Sequence, residues 1–141
     1  VDAVDISKYA LEVAKKNANK NNLNINFYEG NLLEPLSKKY DVIISNPPYI
    51  AYDEEIMDIV KNNEPHIALY ASNNGLYYYE EILKNVYKYI NNNGLIAFEI
   101  GYNQGEEIKK LASKYLNKYA FEIKKDMTGK DRMVFIRVTD I

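Results

Sequence analysis

VIISNPPYI, residues Val42 to Ile50, is the stretch on which the reading of this chain turns. Val42, Ile43 and Ile44 are the β-branched run of a buried strand, which extends from Tyr40 to Asn46. The strand then ends on a polar residue, two prolines and an aromatic ring. In open α/β sheets ligands bind outside the carboxyl ends of the strands, and Asn46 stands at such an end. Its side-chain oxygen accepts hydrogen bonds, as does the carbonyl of Pro47, a residue with no N–H of its own. Pro47 fixes its own φ and Pro48 pushes Pro47 into an extended conformation, so the two acceptors are held in place. Tyr49 offers a flat face for a planar amide or base.

An amide or aromatic amine nitrogen is a poor nucleophile because its lone pair is delocalised. Acceptors on both of its N–H bonds stabilise the positive charge that develops there and aim the nitrogen at an electrophilic carbon. The stretch therefore suits methyl transfer from a sulfonium to a planar nitrogen. Asn46 and Pro47 are the candidate catalytic pair, and Asn46, Pro47, Pro48 and Tyr49 the candidate substrate-binding set. Read as structure alone, the same residues make a strand stopped by a Pro-Pro turn with a tyrosine on the surface.

Working outward, VDAVD (Val1 to Asp5) reads as the second half of a strand. Ala10, Leu11, Ala14 and Ala18 then recur at helical spacing, with Ser7 placed to cap the start and Asn21-Asn22 the end. INFYEG (Ile25 to Gly30) alternates as a strand. From Tyr49 to Asn74 the chain is polar and irregular, and long enough to suggest function. A second helical stripe is formed by Leu76, Tyr79, Ile82, Leu83, Val86 and Ile90, with Gly94 suited to a left-handed C-cap. LIAFEI (Leu95 to Ile100) is a strand, and Ile108, Leu111, Ala112, Tyr115 and Leu116 mark a third helix. Two final strand-like runs, AFEIKKD and RMVFIRV, are joined by the turn Met127 to Lys130. Alternating strands and helices imply an α/β, mostly parallel sheet, and the closing hairpin adds an antiparallel strand.

The bulk properties agree with one domain spanning residues 1–141. The chain has 141 residues, 47% hydrophobic and 27% charged, with a formal charge of −2. A pI near 5.5 argues against a nucleic-acid backbone as partner. There is no cysteine, hence no disulfide framework or thiolate site, and no apolar run of membrane-spanning length; a cytoplasmic protein is expected. The 14 tyrosines and the Lys-Asn runs are a compositional habit, and Tyr77, Tyr78 and Tyr79 read as helix surface and core. His66 is the single histidine and is given no role; Glu54, Glu55 and Glu64 lack the spacing of a metal-ligand set. Oligomeric state is not legible.

Two further candidates precede the central strand. Asp5, closing a strand just before a helix, can accept from the two ribose hydroxyls of a nucleoside, or simply sit at the positive end of the helix dipole. In GNLLEPL (Gly30 to Leu36) Asn31 can accept from an adenine amino group and Leu32 can cover the ring; an ordinary loop with Pro35 is the plainer reading.

VDAVDIS, GNLLEPL, YDVIISNPPYI, NEPHIALYASNNGL, GLIAFEIGYNQGEEI and KDMTGKDRMVFIR together resemble, in order and spacing, the release-factor glutamine methyltransferases of the HemK/PrmC family. The resemblance covers essentially the whole chain. It implies the Rossmann-like class I methyltransferase sheet, with its last strand antiparallel, and S-adenosyl-L-methionine as cofactor. Asp5 would bind the ribose and Asn31 and Leu32 would flank the adenine, with Asn46 at the border of the cofactor and substrate sets. Asn46 and Pro47 would hold the amide of the glutamine in the Gly-Gly-Gln motif of a peptide chain release factor. The family usually has Asp where this chain has Asn31. Its Gly-rich cofactor loop and first strand, central in the fold between the strands ending at Asp5 and Asn46, correspond to sequence before Val1. The expectation is thus of an N-terminally truncated domain that by itself binds the cofactor weakly. The alternatives are an adenine-specific DNA or RNA methyltransferase, which also uses NPPY, and a non-catalytic fragment lacking the cofactor loop.

Overall fold

A computed structural model describes residues 1–51, 70–71 and 75–139, in two compact units, Val1–Lys38 and Lys39–Ile141. Most of the expected functional loop between Tyr49 and Asn74, with Glu54, Glu55, Glu64 and His66, lies outside the described residues.

The first unit is β1 (Asp2–Asp5), α1 (Lys8–Lys20) and β2 (Asn26–Glu29). Ser7 has the extended backbone of an N-cap, and its hydroxyl accepts from the Ala10 amide at 3.2 Å. At the far end Asn21 caps the helix and Asn22 turns left-handed at φ 54°, a conformation asparagine tolerates. Leu11 and Ala18 form the buried stripe of α1. β1 and β2 pair in parallel with Asp2 opposite Asn26 and Asp5 opposite Glu29. The carboxylate of Asp2 is enclosed, and is satisfied by Lys38 at 3.0 Å and the Asn26 amide at 2.8 Å.

In the second unit β3 (Tyr40–Ser45), β6 (Ile90–Glu99), β7 (Tyr119–Lys125) and β8 (Asp131–Val138) make a four-stranded sheet in the order β3-β6-β8-β7. β3 runs parallel to β6, whereas β8 is antiparallel to both of its neighbours, as the closing hairpin requires. Short β4 (Ile50–Ala51) and β5 (Tyr70–Ala71) pair in parallel with each other. Two helices follow the period read in the sequence, α2 (Tyr77–Asn85), continued by a 3-10 turn at Val86–Lys88, and α3 (Gly105–Tyr115). Glu80 joins them, accepting from Lys114 at 3.0 Å and from the Tyr115 hydroxyl at 2.7 Å.

The core of this unit is drawn from every second residue of the strands, Ile96, Phe98 and Ile100 with Val134, Ile136 and Val138, packed with the Tyr79, Leu83 and Ile108 stripes of the helices. Tyr77 is exposed and Tyr79 fully buried, the split expected of that run. Along β3, Ile43 is buried, while Val42 and Ile44 on the other face are 50% and 78% exposed.

Two expectations are corrected. The β-branched run of β3 is buried on one face only, since Val42 and Ile44 turn to water. Gly94 does not cap a helix in the left-handed region; α2 ends at Asn85, Ile90 already belongs to β6, and the positive φ, 61°, falls on Asn93. Asn91 to Gly94 form a bulge in β6, since Tyr40 pairs with Ile90 but Val42 with Leu95. Glycine is needed at position 94 for close packing, because a Cβ there would lie 2.5 Å from Cγ1 of Ile90.

Candidate functional site

The site residues read from the sequence fall into two groups, one in each unit. In the first unit the parallel pairing of β1 with β2 brings Asp5 and the turn after Glu29 to the same strand ends. Asp5 is exposed, and its Oδ1 accepts the Ser7 amide at 2.8 Å. A carboxylate has about four lone-pair sites, so the cap leaves it acceptor capacity for hydroxyl donors. The amide of Gly30 donates to the carbonyl of Asp5 at 3.1 Å, tying the two segments together. Asn31 directs its side-chain nitrogen toward Glu34 at 3.4 Å, which leaves the side-chain oxygen as its acceptor. Leu32 is held at φ 50°, in the left-handed region that leucine rarely adopts. Acceptor, acceptor and apolar side chain complement the donors of a nucleoside, two hydroxyls and an amino group around a flat ring. The residues present fit such a group.

A separate open cleft of about 500 Å³, lined by Lys15, Ala18, Leu23 and Phe27 among others, contains none of these residues.

In the second unit Asn46 follows the carboxyl end of β3 and is exposed, Pro47 is buried, and Pro48 and Tyr49 are half-buried. The side chain of Tyr49 does more than present a face. Its hydroxyl donates to Oε1 of Glu99 at 3.1 Å and accepts from Nη1 of Arg132 at 3.4 Å. Its backbone carbonyl accepts from Nε2 of the buried Gln104 at 2.8 Å, and Oε1 of Gln104 accepts the Gly101 amide at 2.9 Å. Gly75, at φ 79°, lies against the same carbonyl, and any Cβ there would run into it. Burial first, and then the Glu99 carboxylate, push the Tyr49 hydroxyl above its ordinary value of 10.0, so it remains a donor at neutral pH. Tyr79 donates to the backbone carbonyl of Glu99 at 2.6 Å, and burial raises its hydroxyl strongly as well.

Glu99, Gln104 and Arg132 are the residues that sequence reasoning missed. A signal exists for two of them. Glu99 is a carboxylate set into the apolar run LIAFEI, and Arg132 is one of only two arginines in a lysine-rich chain.

Residues 1–68 match the model of the family described as "Methyltransferase small domain". A protein of Lactococcus lactis is 39% identical over 139 residues, covering 97% of this chain and 52% of the relative. One of Bacillus subtilis is 42% identical over 139 residues, covering 95% of this chain and 48% of the relative. Both are named release factor glutamine methyltransferase. The chain resembles that family.

The chain spans about half the length of these release factor glutamine methyltransferases. Among solved structures, a methyltransferase from Pyrococcus furiosus superposes with a TM-score of 0.73 at 20% identity, covering all of this chain and 63% of its own. At that identity the likeness speaks for the fold, which is the Rossmann-like class I methyltransferase fold expected from the sequence. Among the described residues, no helix is long and apolar enough to cross a membrane.

Proposed function

We propose that the protein methylates the side-chain amide nitrogen of the glutamine in the Gly-Gly-Gln motif of a peptide chain release factor, with S-adenosyl-L-methionine as methyl donor. The observation that carries this reading is the exposed Asn46 at the carboxyl end of β3, followed by a buried Pro47 and an anchored Tyr49, in a chain about 40% identical to proteins of that name. The chain is taken as part of a single catalytic domain. A cytoplasmic location belongs to the proposal, since its substrate is a translation factor.

Asp5, Asn31 and Leu32 would hold the cofactor, whose sulfonium would supply an electrophilic methyl group and keep the bonding electron pair as it left. The remaining work falls to the chain. Oδ1 of Asn46 and the carbonyl of Pro47 accept the two N–H bonds of the amide, supporting the charge that grows on nitrogen as its bond to carbon forms. The methylated nitrogen would then release one of its protons to solvent water, restoring a neutral amide. The restricted Pro47-Pro48 backbone keeps the acceptors from relaxing toward water. Tyr49 packs alongside the amide.

The test is incubation of the protein with methyl-labelled cofactor and either a Gly-Gly-Gln release factor or adenine-containing DNA. Label is expected on the release factor; label on DNA and none on the protein would overturn the proposal in favour of an adenine amino-methyltransferase.

A further inference from the structure

We propose that Arg132, Glu99 and Gln104 are positioning residues for the transfer, forming a clamp on Tyr49 that sets where the Asn46 and Pro47 acceptors stand. The inference rests on the reading of Asn46–Tyr49 as the substrate-binding loop.

Tyr49 is gripped at both ends. Its hydroxyl lies between Glu99 at the end of β6 and Arg132 at the start of β8, and its carbonyl is held by Gln104 ahead of α3. Each gripping group is itself fixed. Arg132 donates through Nε to Asp126 at 3.3 Å and through Nη1 to the carbonyl of Ile100 at 3.2 Å, while Gln104 is tied to Gly101. Between the clamp and Pro47 stands only Pro48, whose ring fixes φ and restricts the residue before it. Displacement of Tyr49 is therefore passed to the Pro47 carbonyl instead of being absorbed by soft dihedrals. Three elements distant in sequence thus set one short loop.

The side-chain chemistry is specific. Arg132 serves a carboxylate, a carbonyl and a phenol from one planar guanidinium, which the point charge of a lysine does not reproduce. Glu99 serves as an acceptor, a role that a glutamine oxygen keeps.

The experiment compares Tyr49→Phe, Arg132→Lys, Glu99→Gln and Glu99→Ala in the protein with two readouts. The first is amide hydrogen exchange at Tyr49 and Ile50, which needs no substrate. The second is kcat and KM on a Gly-Gly-Gln release factor, with S-adenosylhomocysteine affinity from calorimetry. Exchange is expected to quicken by about tenfold in Tyr49→Phe, Arg132→Lys and Glu99→Ala but to stay near wild type in Glu99→Gln. The same three variants are expected to lose about 10²-fold in kcat, as a misplaced reacting group does. Their cofactor affinity is expected to stay within about twofold. Unchanged exchange and kcat in Tyr49→Phe and Arg132→Lys would overturn the clamp, as would parallel losses of kcat and cofactor affinity, the mark of a general staple of the fold. Should the wild-type protein leave the release factor unmethylated, the proposed function falls while the exchange data still decide on the clamp.

Discussion

Asn46 shows what a residue contributes when everything beneath it is fixed. Its side chain is exposed while Pro47 is buried, so the acceptor faces outward from a rigid base. Asn46→Ala is expected to reduce methyl transfer about 10²- to 10³-fold, the scale of losing one preorganised group aimed at developing charge, with little change in cofactor affinity. Steady-state kinetics beside a calorimetric titration check this; equal losses in both would make Asn46 a cofactor residue. Leu32 presents the converse case, a side chain kept at backbone expense. A non-glycine residue at φ 50° carries on the order of 1–3 kcal/mol of strain. Leu32→Gly is expected to leave the melting temperature unchanged or raised while weakening S-adenosylhomocysteine binding several-fold. Lower stability with intact binding would remove Leu32 from the site. Asn46 and Asp5 stood out in the sequence as candidates because each is a polar residue closing a strand-like run. Gln104 carried no such mark, because its partner is a backbone carbonyl 55 residues earlier, and pairing of that kind leaves no local pattern.

At the scale of elements, the β7–β8 hairpin is the most locally determined piece. Asp126 organises its turn, accepting from the Thr128 amide at 2.8 Å, the Thr128 hydroxyl at 2.6 Å and the Lys130 amide at 3.2 Å. The Thr128 hydroxyl foremost, then the Lys130 and Thr128 amides and Arg132, hold its carboxyl well below the ordinary value of 3.8. A folded-state value below the unfolded one means the stabilisation is present in full above about pH 4 and is lost as pH falls through the folded value. Asp126→Asn is therefore expected to be less stable than wild type near neutral pH, with the difference shrinking below about pH 4. Denaturant midpoints at the two pH values measure it, and a constant difference would rule the linkage out. The turn was legible from Gly129 and its neighbours. The β6 bulge was not, since NNNG is equally the signature of a helix end; what decides between the two is the register with β3, a long-range property.

For the whole molecule, the alternation of strand and helix gave the layered α/β class and the antiparallel close, and the four-stranded sheet bears both out. The order β3-β6-β8-β7 was not readable from periodicity, because alternation marks which face of a strand is buried and carries nothing about which strand lies beside it. The two units also differ in how much core they own. Among the described residues of Val1–Lys38 only Leu11 and Ala18 are buried apolar side chains, and chains below about 40 residues are seldom stable without further support. Most of the buried apolar packing among the described residues lies in Lys39–Ile141, the unit that also contains Asn46 to Tyr49.

The outward face of β3 has a consequence for the protein's behaviour in bulk solution. Among the described residues β3 is an end strand of its sheet, and by turning Val42 and Ile44 toward water it joins an open edge to sticky side chains, the combination that drives strand-to-strand association between molecules. Ile44→Lys is expected to cut concentration-dependent association, measured by sedimentation velocity, without disturbing the core, since Ile44 is 78% exposed. Unaltered sedimentation across a concentration series would place the adhesive surface elsewhere. The strand that leads into Asn46 would then also limit how concentrated the protein can be kept, tying its colloidal behaviour to the strand that carries the proposed substrate loop.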